Sequence, residues 1–597
     1  MTNFIVDVTS SLYAKSSLTA FFCLDQDNAV KFSKQMSQHF LIHEIRNISL
    51  TQNIDEFSTK ITSQNFFVLD LDCPQSANIL FKANASKLFI GPSKWLILQQ
   101  LNKEKNLSAD NLILQEIFKE LQVFPDSEII IGHRIEDKYF KIRSLYRPSP
   151  YRDLVFEDRG SWNDVDHLCL NDELPTSRRR QNLQATPLKS CLVMTDPDTL
   201  NHLTDYKDKL VDAVTKANYV WLQLIAERMN VTVNFTLRNT WGYRDKNGTW
   251  SGMIGLLDRG EIDIGGTATF PTKDRIGVVD YVQLYSPVGS RFLFRRPSLS
   301  YTSNLFILPF DRTVWIAIGV LLILVFGNLY ISLKCEWNKI KSNQFRRNLP
   351  GELEENPSLS DNFIILIGAV LQQGFNYEPY TISSRIVIFV MLIAALSLYA
   401  SFTANIVALL QSTSSSINTM QDLMDSGLNF GVQDIVYNRY YFGSFKDPVR
   451  YEFYKRFVEN KTSVWTTITE GVEQLHKGLY AFHVDTSCGY ELIQQTFEEN
   501  EKCGLHEIDY LKVLEPMLII KRNSPYREIF RVTAQWIKET GLQDRLIPKL
   551  FTEKPICTSH SSFISVGTTE SYAAFLVIGY GMAISFGIFF LEIIWNK

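Results

Sequence analysis

The chain has 597 residues, of which 45% are hydrophobic, 13% aromatic and 21% charged, with a formal net charge of -4. A chain of this length supports several domains, each with its own core. Its slight acidity, and the lack of a basic stripe with interleaved aromatics, exclude a nucleic-acid footprint.

Residues 1–180 alternate short apolar runs (18–24, 66–71, 95–98 and 129–131) with helix-like segments, the pattern of an α/β domain. The opening, Met1 to Asp7, lacks the charged n-region and long apolar core of a signal peptide. Either the chain begins downstream of a true start, or its first membrane span directs targeting. The basic polar stretch 176–185 reads as a linker. From residue 186 the α/β pattern renews. It gives a strand at 188–194, an amphipathic helix at 219–229 (apolar face Val220, Leu222, Leu224 and Ile225) and a strand at 231–237. Residues 248–265 read as turn, helix, turn and strand, and a comparable α/β stretch spans 427–547. One α/β domain, 186–300 plus 420–557, is therefore split by an insert. A hinged pair of lobes of this kind is suited to closing around a small ligand.

Three apolar runs, 314–333, 386–410 and 572–595, are long enough to cross a bilayer, which takes about 20 helical residues. A fourth, 363–371 within the segment 361–376, is too short. Set between Asp361 and Gln372-Gln373-Gly374, it is either a re-entrant element whose backbone lines a cavity or an interfacial helix. Glycosylation sequons at Asn47, Asn84, Asn106, Asn230, Asn234, Asn247 and Asn460 fall before the first run or between the second and third. Both regions lie outside the cell only if the short run does not cross. Lys334, Lys339, Lys341, Arg346 and Arg347 follow the first run, as in a cytoplasmic loop, although Arg295, Arg296 and Arg312 flank its other end. Eight cysteines suit an oxidising compartment without a disulfide-dense scaffold. Cys503 and Cys557 share the outer region before the last run and could close a loop there, while Cys335 lies at the cytoplasmic mouth. Spacing does not pair Cys23, Cys73, Cys169, Cys191 or Cys488.

The stretch from Ser401 to Leu409, Ser-Phe-Thr-Ala-Asn-Ile-Val-Ala-Leu, resembles the Ser-Tyr-Thr-Ala-Asn-Leu-Ala-Ala-Phe gate of ionotropic glutamate receptors. Gly368-Ala-Val-Leu-Gln-Gln-Gly374 is similar to that family's pore-loop apex, which implies that Gln372 holds the selectivity position beside Gln373 and Gly374. The match covers roughly 188–597 and makes Ser401, Phe402, Thr403, Ala404 and Asn405 the gate. In hydrocarbon Ser401, Thr403 and Asn405 need partners or water, while Ala400, Ala404 and Ala408 let helices approach closely. Neutral amides and carbonyls at 372–374 suit partly hydrated cations. The family's acidic residue four positions past the apex is Asn376 here, with Glu378 two further on.

The segment from Asp263 to Arg275, followed by Asp280-Tyr281, keeps the family's spacing, and the resemblance implies that Arg275 binds a ligand carboxylate. A planar guanidinium does this by bidentate, charge-assisted hydrogen bonds. The alternative is a surface arginine paired with Asp274 or Asp280. Phe270, next to Thr269, replaces the family's threonine, and Gly431 to Asn438, with Gln433 and Tyr437, lacks the Ser-Thr pair that meets a distal carboxylate. Asp485, followed by Thr486, stands where the family holds the amino group. It can hold an ammonium, close the lobes or serve the framework. Cys503 and Cys557 correspond to the family's second-lobe disulfide.

A retained arginine with altered distal contacts, behind a reduced N-terminal domain, resembles the arthropod chemosensory ionotropic receptors, nearest to their antennal acid-sensing branch. That resemblance implies a non-selective cation channel subunit at the plasma membrane of a sensory dendrite, in contact with lipid. Lobe closure on a small organic acid, with Phe270 and Tyr437 bounding an apolar pocket, would pull on linkers near 298–310 and 411–420. It also implies a hetero-tetramer with a coreceptor. A glutamate-gated synaptic channel and a non-conducting receptor are the rivals. No metal-ligand spacing, nucleophile elbow or phosphate loop points to an enzyme or a cofactor, and His483 alone carries no chemistry.

Overall fold

The computed structural model describes residues 1–12, 17–39, 43–48, 65–100, 107–136, 138–206, 208–297, 306–341, 358–375, 378–410, 417–444, 447–511, 514–558 and 568–595. The sequon at Asn106, the basic pair Arg346 and Arg347, Asn376 and most of the two linker segments (298–305 and 411–416) lie outside the described residues.

The N-terminal domain is built on strands β1 (Ser17–Phe22), β2 (His43–Asn47), β3 (Asn65–Asp70), β4 (Lys94–Gln100), β5 (Glu128–Glu136), β6 (Tyr139–Tyr146), β7 (Val155–Asn163) and β8 (His167–Leu170). They form one sheet in the order β2-β1-β3-β4-β5-β6-β7-β8, parallel from β2 to β5 and antiparallel from β5 to β8. The central strands read as near-continuous apolar runs because both faces are covered. Phe67, Leu69, Trp95 and Ile97 pack under the helices Ser76–Ala85 and Leu107–Ile117. Phe66, Val68 and Leu96 face the helix Thr2–Leu12, whose Phe4 stacks on Phe140 with centroids 4.2 Å apart.

The basic stretch 176–185 is not a linker. Arg180 is 1% exposed and donates to Pro125 O at 3.2 Å, Ser127 O at 2.6 Å and the Glu157 carboxylate at 3.1 Å. Arg179 donates to the same carboxylate at 2.6 Å. Composition suggests solvated charge, but a carboxylate presented by β7 turns the segment inward.

Two further sheets follow. The first comprises β9 (Thr186–Val193), β10 (Val231–Arg238), β11 (Ile264–Thr269), β12 (Val279–Tyr285) and β18 (Met517–Lys521), in the order β10-β9-β11-β18-β12. The second comprises β13 (Ser290–Arg295), β14 (Asn429–Gln433), β15 (Trp465–Thr466), β16 (Tyr480–Asp485) and β17 (Leu505–Asp509), in the order β15-β14-β16-β13-β17. Each carries its own core, around Trp221, Leu222 and Ile225 in the first lobe and Phe292, Leu293 and Phe482 in the second. The helix Ala213–Met229 starts earlier than its apolar pattern suggests and buries Trp221, leaving Val220 and Leu224 half-buried. The lobes do not coincide with the two halves of the sequence. Strand β13, ahead of the first membrane helix, belongs to the second sheet, and β18, between the second and third, pairs antiparallel with β11 and β12 in the first.

Three helices, Arg312–Lys341, Ile382–Leu410 and Thr568–Trp595, contain apolar spans long enough to cross a membrane. The short apolar helix Leu359–Val370 lies against the first two through Leu329, Leu333, Ile365, Leu366, Ala369, Ile388 and Met391. Glu336, near the end of the first membrane helix, accepts from Tyr380 N at 2.6 Å and Thr381 Oγ1 at 2.8 Å, tying that end to the start of the second.

Candidate ligand cleft, pore turn and gate

Between the two lobes lies a cavity of about 60 Å³. Trp241, Thr269, Phe270 and Arg275 line it from the first lobe, Tyr437 and Asp485 from the second. Strand β11 is buried along its whole length, and the short helix Lys273–Ile276 that follows turns Arg275 back over its end. Arg275 is 2% exposed. Its Nη1 donates to Thr269 Oγ1 and to Phe270 O at 3.4 Å, and its Nη2 donates to Gly242 O at 3.1 Å. Among the described residues no carboxylate pairs with it. Asp280 instead meets Arg527 at 3.4 Å. Among the described residues this buried charge is met by neutral oxygens alone.

Aromatic rings close the cavity across the lobes. Phe270 stacks on Tyr437 (centroids 5.2 Å apart, 21° between planes) and Tyr243 on Tyr440 (4.2 Å, 29°). The rings of Tyr243 and Tyr441 lie 5.8 Å and 5.9 Å from the Arg275 guanidinium carbon. Tyr281 donates its hydroxyl to Phe270 O at 3.2 Å, and burial pushes its phenol up to about 12.

Asp485 ends β16 and caps the helix Thr486–Thr496, accepting from Ser487 N at 3.0 Å. Burial between the lobes pushes its carboxyl up to about 6, against the opposing pull of the backbone N–H groups of Ser487 and Cys488. Gln433 and Thr486 stand behind the cavity wall. Gln433 Oε1 accepts from Asp485 N at 3.1 Å, and Thr486 Oγ1 accepts from Gly289 N at 3.1 Å. His483 is a core residue, ringed by Phe292, Phe442 and Tyr510, and burial lowers it to about 3.

After the helix Leu359–Val370 the chain turns back. Gln372 N donates to Ala369 O at 3.2 Å and Gln373 N to Gly368 O at 2.9 Å, with Gln372 at φ 59° and Gly374 at φ 75°. This is the paired bonding of a Schellman cap, with a glutamine in the left-handed position that glycine usually fills. In the next membrane helix Ser401, Thr403, Ala404 and Asn405 are exposed, and Phe402 packs on Phe310 (5.9 Å) and Trp315 (6.3 Å). Asn405 Nδ2 reaches back to Pro309 O at 3.2 Å, and Thr403 Oγ1 donates to Tyr399 O.

Two families match the chain. "Ligand-gated ion channel" matches residues 311–582, and "Ionotropic receptor 75a N-terminal" matches residues 3–193. Ionotropic receptor 75a of Drosophila melanogaster is 21% identical over 635 aligned residues, covering 100% of this chain and 98% of the relative. The protein of the same name from Drosophila sechellia is 21% identical over 641, with the same coverage. Over both matched ranges and along its whole length the chain is similar to the ionotropic receptors. The human "Glutamate receptor ionotropic, delta-2" is 24% identical over 466 residues, covering 73% of this chain but 44% of that protein. These matches and the three long apolar helices support a membrane-embedded, ligand-gated channel of the chemosensory kind, and not an enzyme.

In the receptor Cys503 and Cys557 are bonded, and so are Cys23 and Cys73, a pair that spacing does not reveal. Of the described sequon asparagines, Asn230, Asn234, Asn247 and Asn460 are exposed. Asn47 donates to Leu24 O at 2.6 Å and Asn84 accepts from Gln122 N at 2.9 Å. Tyr243, Tyr440, Tyr441 and Ser290 are cleft residues that sequence reasoning misses. The cluster Tyr437 to Tyr441, with three tyrosines in five positions after a buried strand, is the signal that points to them.

Proposed function

We propose that this receptor is a subunit of a non-selective cation channel opened by small organic acids. The acid's carboxylate engages Arg275, Phe270 and Tyr437 bound its apolar tail, and the two lobes close over it. Closure pulls on the linkers flanking the membrane helices and opens the gate at Ser401, Phe402, Thr403, Ala404 and Asn405. Cations then pass a re-entrant loop at Gln372, Gln373 and Gly374. Four subunits, including a separate coreceptor, surround the pore in the plasma membrane. The N-terminal domain, both ligand-binding halves and the seven sequons face outward.

The observation that carries this reading is Arg275, buried in the inter-lobe cavity without a carboxylate partner among the described residues. The cavity's size argues against glutamate. At about 10–15 Å³ for each water-sized probe, 60 Å³ admits a molecule of about four to six non-hydrogen atoms, and Phe270 and Tyr437 stack across it. The test is current from cells expressing the receptor with a coreceptor, under short acids, amines and glutamate. Arg275→Lys is expected to raise the half-maximal acid concentration tenfold or more, since charge-assisted hydrogen bonds contribute about 1.5–3 kcal/mol. An unchanged acid response at normal surface expression would refute the role of Arg275, and a response to glutamate alone would revive the synaptic reading.

A further inference from the structure

Tyr243 lies in the turn ahead of the helix Gly252–Asp258, and it lines the same cavity as Arg275. Its hydroxyl is buried and has no hydrogen-bond partner among the described residues. A buried hydroxyl of this kind is rare in a folded protein unless something else supplies its partner. The ring cannot turn aside to find one in solvent, because Tyr440 stacks on it at 4.2 Å and Tyr441 meets its edge at 6.1 Å. Both of those tyrosines belong to the second lobe, on the helix Val436–Tyr441. The Arg275 guanidinium carbon stands 5.8 Å from the ring centroid of Tyr243, so an anion on Arg275 lies within the hydroxyl's neighbourhood.

We propose that Tyr243 is a second anchor of the ligand: its hydroxyl donates a hydrogen bond to the carboxylate that Arg275 holds, and its stack on Tyr440 fixes that donor only when the lobes are closed. The inference rests on the acid reading above. Burial raises the Tyr243 phenol far above its ordinary range, with the Arg275 charge opposing only in part, so the hydroxyl keeps its proton and remains a donor at neutral pH. The oxygens that accept from Arg275 all belong to the first lobe. Tyr243 differs, since its ring is braced from the opposite lobe. The same contact that recognises the acid therefore reports closure.

The experiment uses the full receptor with its coreceptor at the cell surface. The probes are the straight-chain carboxylates from acetate to hexanoate, each beside its primary amide. Tyr243→Phe removes one oxygen and keeps the stack. It is expected to raise the half-maximal concentration of every acid about tenfold, the scale of one hydrogen bond to a charged group, with a smaller shift for the amides. A role confined to stacking would move neither series. Tyr440→Ala, which keeps the hydroxyl but frees the ring, is expected to raise the same concentrations several-fold and to speed the decay of current after washout. If Arg275→Lys shifts the acid response and Tyr243→Phe does not, the second anchor is wrong and the acid pocket stands. If Tyr440→Ala changes nothing, the link to closure is wrong. If no acid evokes current, or Arg275→Lys leaves the acid response intact, the acid reading fails and this inference fails with it.

Discussion

Phe270→Ala should exchange preference for short acids with preference for longer ones. The wild-type cavity is about 60 Å³, and one of its walls is the Phe270 ring stacked 5.2 Å from Tyr437. Removing the ring breaks an aromatic pair worth about 0.5–1.5 kcal/mol beyond area burial. That loss falls on closure with any ligand and weakens the shortest acids by about two- to tenfold. The vacated space then admits tail carbons the wild type excludes. Each buried methylene contributes about 0.8 kcal/mol, or about fourfold in affinity at 1.4 kcal/mol per tenfold. The potency series should cross: acetate and propionate weaker in the variant, pentanoate and hexanoate stronger, with a relative gain of about fourfold per added carbon. Concentration–response curves across the series, at matched surface expression, measure this directly. A parallel displacement of all acids would mean that Phe270 steadies closure without bounding the tail, and the pocket geometry argued here would be refuted.

Two other perturbations test separate parts of the receptor. Burial in the cleft pushes the Asp485 carboxyl up to about 6, and on the proposed reading lobe opening would return it toward the ordinary carboxylate range. The closed state therefore takes up a proton, so its advantage is fully present below that ordinary range and is lost as pH rises through about 6. At fixed carboxylate-ion concentration the half-maximal value should fall on acidification from neutrality to pH about 5, and Asp485→Asn should flatten that dependence. A value that rises on acidification would contradict the assignment. In the pore turn, a Cβ at Gly368 would sit 2.5 Å from Gly374 O, too close for either backbone to keep its place. Gly368→Ala should abolish current or shift the reversal potential at normal surface expression, while Gly277→Ala, with nothing within 4 Å, should leave both unchanged.

How far the sequence discloses this depends on whether a feature is written locally. The three long apolar helices are visible because crossing a bilayer imposes a run no other environment requires. The strands of the N-terminal sheet show as apolar runs because both faces are covered. Arg275 is singled out only because the segment from Asp263 to Tyr281 resembles the glutamate-receptor family; its burial in the cleft is not written locally. The lobe boundaries are not. Nothing local distinguishes Met517–Lys521 from its neighbours as the strand that returns to the first sheet. The buried clasp of Arg179 and Arg180 reads as a linker because Glu157, the carboxylate that neutralises it, is more than twenty positions away. Tyr243 escapes for a related reason, since its stacking partner lies on the far side of the whole membrane insert.

Arg275 also sets a limit on what can open the channel. A ligand shifts an equilibrium only by its difference in affinity for the two states, and moving it from one part in a hundred to ninety-nine takes about 10⁴-fold. The acceptors that hold Arg275 are Thr269, Phe270 and Gly242, all in the first lobe. On the proposed reading its grip on a carboxylate would therefore be much the same before and after closure, and would supply affinity without efficacy. The difference must come from what the second lobe brings: Tyr437 against the tail, Tyr440 and Tyr441 behind Tyr243, and a newly buried Asp485. Variants of those residues should reduce the maximal current as well as potency, whereas conservative changes at Arg275 should move potency alone.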